Sequence, residues 1–251
     1  MPVSLFKIQT TMKKFIGLLL VMVAALNIFG QQSEKKYQFG IKVSPNYTWI
    51  NPETRNYKND GGKIGFTWGL IADINLRDNY FFSSGFGLSY QGGKICYPVN
   101  YPIPKPKTNG IGDTTLILGK VYRNYSYRYL EIPLLFKMKT LPKKNTRFYG
   151  DMGLVPAFKL RAHANDIFYS QQGTTLKNEP DVSSALNAMK LSIFVGGGFE
   201  YHFDQSTFIM IGLGFNNSFT DIFSDYNSHP SVNASEDGIA NYLELSLALF
   251  L

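Results

Sequence analysis

Between Lys63 and Leu76 the chain alternates. Ile64, Phe66, Trp68, Leu70, Ala72, Ile74 and Leu76 share one face, Lys63, Gly65, Thr67, Gly69, Asp73 and Asn75 the other, and Ile71 is the exception. A period of two is that of a strand with one apolar side. Seven further segments repeat it. Phe39, Ile41 and Val43 oppose Gln38, Gly40 and Lys42. Phe86, Leu88 and Tyr90 oppose Ser83, Gly87 and Ser89. Leu130, Leu134, Phe136 and Met138 oppose Glu131 and Lys137, and Phe148, Met152, Leu154 and Phe158 oppose Arg147, Asp151 and Lys159. Leu191, Ile193, Val195 and Phe199 oppose Lys190, Gly196, Gly198 and Glu200. Ile209, Ile211 and Leu213 oppose Gly212 and Gly214, and Leu243, Leu245, Leu247 and Leu249 oppose Tyr242, Glu244 and Ser246.

Alternation alone also fits a soluble sandwich or a lipocalin-like barrel, whose apolar face turns inward. The polar face separates these readings. It holds glycines together with charges of both signs: Asp73, Glu131, Asp151, Glu200 and Glu244 against Lys42, Lys137, Arg147, Lys159 and Lys190. Such a face suits a cramped lumen, where an absent side chain leaves room for a long neighbour. The connections alternate as well. Residues 77–79, 139–145 and 204–206 are short, whereas 48–62, 92–125, 160–187 and 218–238 are long. Together these features predict an all-β fold: an eight-stranded antiparallel transmembrane β-barrel with short periplasmic turns and long extracellular loops. Tyr80, Phe81, Phe82, Phe148, Tyr149, Tyr201 and Phe203 lie near segment ends and are expected to form interfacial girdles. Phe250 and Leu251 close the last segment, as suits a substrate of the barrel insertion machinery.

Lys13 and Lys14 precede an apolar stretch from Phe15 to Leu26. A basic start followed by a short apolar run is the order of a secretory signal. Met12 is read as the start, with Met1 to Thr11 an upstream extension. Residues 1–30 are therefore expected to be removed, leaving residues 31–251 as the barrel domain. Three of the seven surplus positive charges fall in that leader, and no run of five basic residues occurs anywhere, so the charge gives no basis for nucleic-acid binding. Charged residues are 17% of the chain, below the soluble average of about 25%. The single cysteine, Cys96, rules out an internal disulfide and a cysteine-rich metal site.

Tyr129-Leu130-Glu131-Ile132-Pro133-Leu134-Leu135-Phe136-Lys137 resembles the Y-L-E-I-P-L-L-x-K stretch of the PorT-like outer-membrane β-barrel proteins of Bacteroidota. Gly196 to Tyr201 is similar to that family's glycine-rich sixth strand, and Phe219 to Ile222 to the motif after its seventh. The resemblance spans residues 37–251 and implies an outer-membrane location; one member is implicated in protein secretion. Pro133 lacks a ladder donor, so a bulge is expected around it.

Candidate chemistry is sparse. His163 with Asp166, and His229 with Asp225, are the pairs from which a rim hydrolase would be built, but no G-x-S-x-G motif accompanies them. Asp221, Asp225, Glu236 and Asp237 make the fourth loop acidic without the spacing of a calcium loop. Neither a catalytic site, a cofactor nor a metal is expected. Pro98, Pro102, Pro104 and Pro106, with Tyr97, Tyr101, Lys94, Lys105 and Lys107, suggest an extended polyproline surface segment. The favoured role is a non-enzymatic barrel in contact with outer-membrane lipid and an envelope protein partner; the rivals are a narrow pore or ligand binder and a rim-active hydrolase. The interior charges are expected to be structural, with Glu131 and Glu200 the principal acids and Lys42, Lys137 and Arg147 as candidate partners.

Overall fold

The computed structural model describes residues 36–104, 114–171, 173, 175–204, 206–224 and 236–251. The expected leader, Pro106, Lys105, Lys107, His229 and Asp225 lie outside them. Eleven strands are present among the described residues: β1 (Tyr37–Pro52), β2 (Lys58–Gly61), β3 (Lys63–Arg77), β4 (Tyr80–Pro104), β5 (Thr114–Glu131), β6 (Leu134–Lys139), β7 (Thr146–Ser170), β8 (Thr175–Asn178), β9 (Met189–His202), β10 (Phe208–Ser218) and β11 (Gly238–Phe250). All pairings are antiparallel, and β4 closes onto β5 and β6. The ring therefore has eight staves: β1, β3, β4, β5 with β6, β7, β9, β10 and β11. The short strands β2 and β8 are added to β4 and β7.

β5 and β6 are one stave interrupted at Ile132 and Pro133. Glu131 faces Gly87 and Ala157, and Leu134 faces Ser84 and Leu154, so the register is unchanged across the break. Ile132 still donates its N–H to the Pro156 carbonyl, at 2.9 Å. The bulge expected at Pro133 is thus absent: the proline omits a donor without adding a residue. A register shift lies four residues before Pro133 on β5, where Arg128 pairs with Arg161 but Tyr129 pairs with Lys159, leaving Leu160 as an extra residue on β7. Below it Met152, Leu154 and Phe158 point outward. Above it the parity reverses, with Arg161 and His163 outside and Ala162, Ala164 and Asp166 inside.

The polar face is the lumen. Ser44, Thr67, Asp73, Ser83, Lys137, Glu200 and Glu244 are buried, whereas Phe39, Trp68, Phe86, Leu134, Met152, Ile193 and Leu245 are exposed on the outer wall. Tyr80, Phe148, Tyr201 and Phe203 lie on that wall at the end with short turns. Phe81 and Tyr149, expected beside them, face inward because they are one residue out of phase.

Residues 92–104 and 114–125, expected as loop, are instead strand. β4 and β7 have 25 residues each, far more than the roughly 10 that a tilted strand needs to cross a bilayer. β4 and β5 pair without a shift from Gly87–Glu131 to Pro104–Thr114. Pro98 and Pro102 are therefore ladder residues opposite Lys120 and Leu116, not a polyproline segment. They are tolerated because, among the described residues, β4 has only β5 beside it above Cys96. This extension has an apolar interior: Ile50, Ile95, Tyr97, Val121, Tyr125, Ala162, Phe168, Leu186, Ile222 and Phe223 form one buried cluster.

Candidate functional site

The interior contains two sets of polar groups. Within the barrel, near the short turns, Lys137 Nζ donates to both oxygens of Asp73 at 2.9 Å, and both side chains have no exposed surface. Lys139 Nζ lies 3.2 Å from Asp73 Oδ2 and 2.8 Å from Glu200 Oε1. His202 Nε2 is 3.4 Å from the other Glu200 oxygen. The alternation of β3, β6 and β9 aims these groups at one another, forming a ring of ions across three staves. An aromatic stack closes it from beneath, with Phe208 and Phe250 at 4.5 Å and His202 on Phe208 at 4.6 Å.

Two further clusters of this first set lie higher in the lumen. Lys42 binds Glu244, which also accepts from Ser246 Oγ at 2.7 Å. Glu131 accepts from Gln91 Nε2 at 2.7 Å and from the Tyr242 hydroxyl at 3.2 Å, with Lys190 at 4.0 Å. Lys190 donates to Gln91 Oε1 at 2.8 Å and lies over the Tyr129 ring. Between the ion sets, Tyr149 and Phe194 occupy space left by glycines. A Cβ on Gly212 would come within 2.0 Å of the Tyr149 hydroxyl, and one on Gly214 within 2.3 Å of the Phe194 ring. A cavity of about 50 Å³ remains beside Lys42, Glu131, Tyr149 and Asp151. That is room for about one or two waters, at roughly 30 Å³ each.

The candidate charges thus divide. Lys42, Asp73, Glu131, Lys137, Lys190, Glu200 and Glu244 enter ion contacts. Asp151 lines the cavity, and neither it nor Arg147 forms an ion pair among the described residues, although Arg147 stands opposite Glu200 in register. Lys159 departs from expectation. Instead of meeting a carboxylate, it donates to the Ser183 and Leu186 carbonyls, because the turn over residues 181–187 lies directly above it. Sequence reasoning missed Lys139, which continues the inward phase of Leu135 and Lys137 but sits at the edge of a turn.

The second set is inside the extension. Arg123 donates through Nε and Nη2 to the two oxygens of Asp166, both at 2.7 Å. Tyr125 donates to Glu236 Oε2 at 3.2 Å. Arg123, Asp166 and Glu236 are all buried. Burial pushes the Glu236 carboxyl above the usual carboxylate range, against the pull of the Arg123 charge. His163 stands on the opposite side of β7 from Asp166, so the two do not form a dyad. Asp221 accepts the N–H groups of Phe223 at 2.8 Å and Gly238 at 3.0 Å, building a turn. No group of three His, Cys, Asp or Glu side chains among the described residues is placed to hold a metal.

A closed ring with a lipid-facing apolar wall and an ion-paired interior defines a membrane-spanning β-barrel. The chain belongs to the outer membrane protein beta-barrel domain family, which matches residues 29–223. Its place is therefore the bacterial outer membrane. Nothing among curated proteins matches the chain. Similar solved structures include Neisserial surface protein A, with 8% identity, 85% of this chain and 96% of that one covered, and a TM-score of 0.44. The attachment invasion locus protein Ail of Yersinia pestis has 10% identity, 86% and 97% coverage, and a TM-score of 0.34. The outer membrane protease OmpT from Escherichia coli has 9% identity, 89% and 98% coverage, and a TM-score of 0.35.

Proposed function

We propose that the protein is a filled, non-catalytic barrel that anchors a folded extension on the cell exterior, where it engages another envelope component. The observation that carries this reading is the filling of the interior among the described residues. Ion pairs occupy the barrel and an apolar core occupies the extension, so a solute path would have to break both. The charges from Lys42 to Glu244 serve on this reading as structural struts. The short-turn and long-strand asymmetry supports placing the extension outside the cell. The basic and apolar leader supports export and delivery to the insertion machinery. The stretch Tyr129 to Lys137, with its resemblance to PorT-like proteins of Bacteroidota, supports an accessory role in secretion.

The pore alternative has to breach both fillings, and the hydrolase alternative loses one of its two pairs, since His163 and Asp166 lie on opposite sides of one strand, while His229 and Asp225 lie outside the described residues. Pure protein in planar bilayers should give no steady conductance; large steps would overturn the filled-barrel reading. Cys96, on the outer wall of the extension, should react with a membrane-impermeant maleimide on intact cells. Labelling only after the outer membrane is opened would reverse the orientation.

A further inference from the structure

The bulge at Leu160 has a second effect, on the outer wall. By reversing the parity of β7 it brings Arg161 outward, directly opposite Arg128 of β5, with Tyr90 of β4 next in the same row. Both guanidinium groups are exposed, and neither forms an ion pair among the described residues. Like charges facing each other across a ladder are unfavourable unless something negative lies between them. The Arg128 guanidinium is stacked 4.9 Å from the Tyr90 ring centre, which fixes its direction. From β3, Lys63 reaches across β4 and donates to Ser126 Oγ at 2.6 Å. It crosses where Gly92 has no side chain; a Cβ there would come within 2.8 Å of Lys63 Cδ. These groups and His163 line a groove of about 220 Å³. Asp181 lies within the electrostatic reach of Arg161 but forms no ion pair with it, and its carboxylate accepts the Ser183 N–H at 2.9 Å.

The groove lies at one level of the wall. Below it are Phe66, Leu88, Leu130 and Phe158, which belong to the lipid-facing belt; directly above it the next outward row is polar, with Lys94, Asn124 and Asn165. A ligand suited to both levels has acyl chains and an anionic head. Two guanidinium groups and an ammonium match phosphate oxygens through charge-assisted hydrogen bonds. We propose that this groove binds the phosphate of a phosphorylated lipid in the leaflet that borders the extension. The acyl chains then lie along the belt beneath it. The phosphate relieves the repulsion between Arg128 and Arg161, so the bound lipid also tethers β5 to β7 at the point where the sheet leaves the membrane.

The test uses the full-length protein in neutral detergent with three probes: bisphosphorylated lipid A, the same lipid after phosphate removal, and inorganic phosphate. Native mass spectrometry reads the bound lipid. Lipid A should be retained, and removing its phosphates should weaken retention by about tenfold or more, the worth of one charge-assisted contact or better. The R128A/R161A double variant should lose retention to the same extent with an unchanged thermal midpoint. K63M alone should lose less, and K120A, on the outer wall of the extension but away from the groove, nothing. Should the double variant fail to fold, K63M against K120A decides by the same rule. Equal retention of the phosphate-free lipid, or equal retention by the groove variants, overturns the proposal. Displacement of lipid A by an equal concentration of inorganic phosphate overturns the lipid as occupant.

Discussion

The barrel and its extension share one continuous sheet, yet their interiors follow opposite rules. In the barrel the outer wall is apolar and the inside holds Asp73, Lys137, Lys139 and Glu200. In the extension Ile95, Tyr97, Val121 and Phe168 are inside, while Lys94, Pro98, Lys120 and His163 face out. β4 keeps the same inward phase from Phe81 to Val99 and still changes from one rule to the other. The surrounding solvent, lipid below and water above, selects which face is apolar; the backbone serves both. A polar interior must then be paired ion by ion, whereas an apolar one needs only close packing.

This contrast can be broken most forcefully at the lower ion ring. Lys137→Ala leaves Asp73 with Lys139 alone in a site with no exposed surface. The variant should lose about 3 to 5 kcal/mol of stability, read as a fall in the unfolding midpoint in detergent. An unchanged midpoint would mean that the ring is not structural. On the outer wall, Leu134→Arg should cost about 2 to 4 kcal/mol if that position lies near the bilayer midplane. Leu116→Arg, equally outward on β5 but in the extension, should cost nothing measurable. Equal costs at the two sites would erase the boundary between lipid-facing and water-facing walls.

The smallest effect concerns Glu236. Its carboxyl is raised in the folded state, so the folded extension holds that proton more tightly than the unfolded chain does. The associated stability is present on the acid side and is lost as the pH rises through the raised value. The near-UV tyrosine signal of the extension should melt at a higher temperature at about pH 5 than at about pH 8, and Glu236→Gln should flatten that difference. The same slope in variant and parent would remove Glu236 from the account.

The barrel was legible in the sequence because residues such as Ile64 to Leu76 combine period two with a strong contrast between faces. The extension was not, although Ile95, Tyr97 and Val99 also alternate. Their polar neighbours include prolines, and tyrosines on both faces of β5 blur the contrast, so the stretch read as loop. The ion partners were hidden for a different reason. Which lysine meets Asp73 depends on the register between β3, β4 and β6, and alternation fixes phase within a strand but not offset between strands. Arg123 with Asp166 adds a third obstacle, since counting along β7 from Phe158 gives the wrong face for every residue beyond Leu160.

That extra residue also sets how the gene can change. Losing a codon in an exposed connection usually costs a fold little. Losing one inside a strand usually turns over every residue beyond it, but losing the codon for Leu160 would join Lys159 to Arg161 and restore a regular ladder, with Arg161 still outward and Ala162, Ala164 and Asp166 still inward. β7 therefore has one position at which a residue can be dropped while the faces on either side of it are kept.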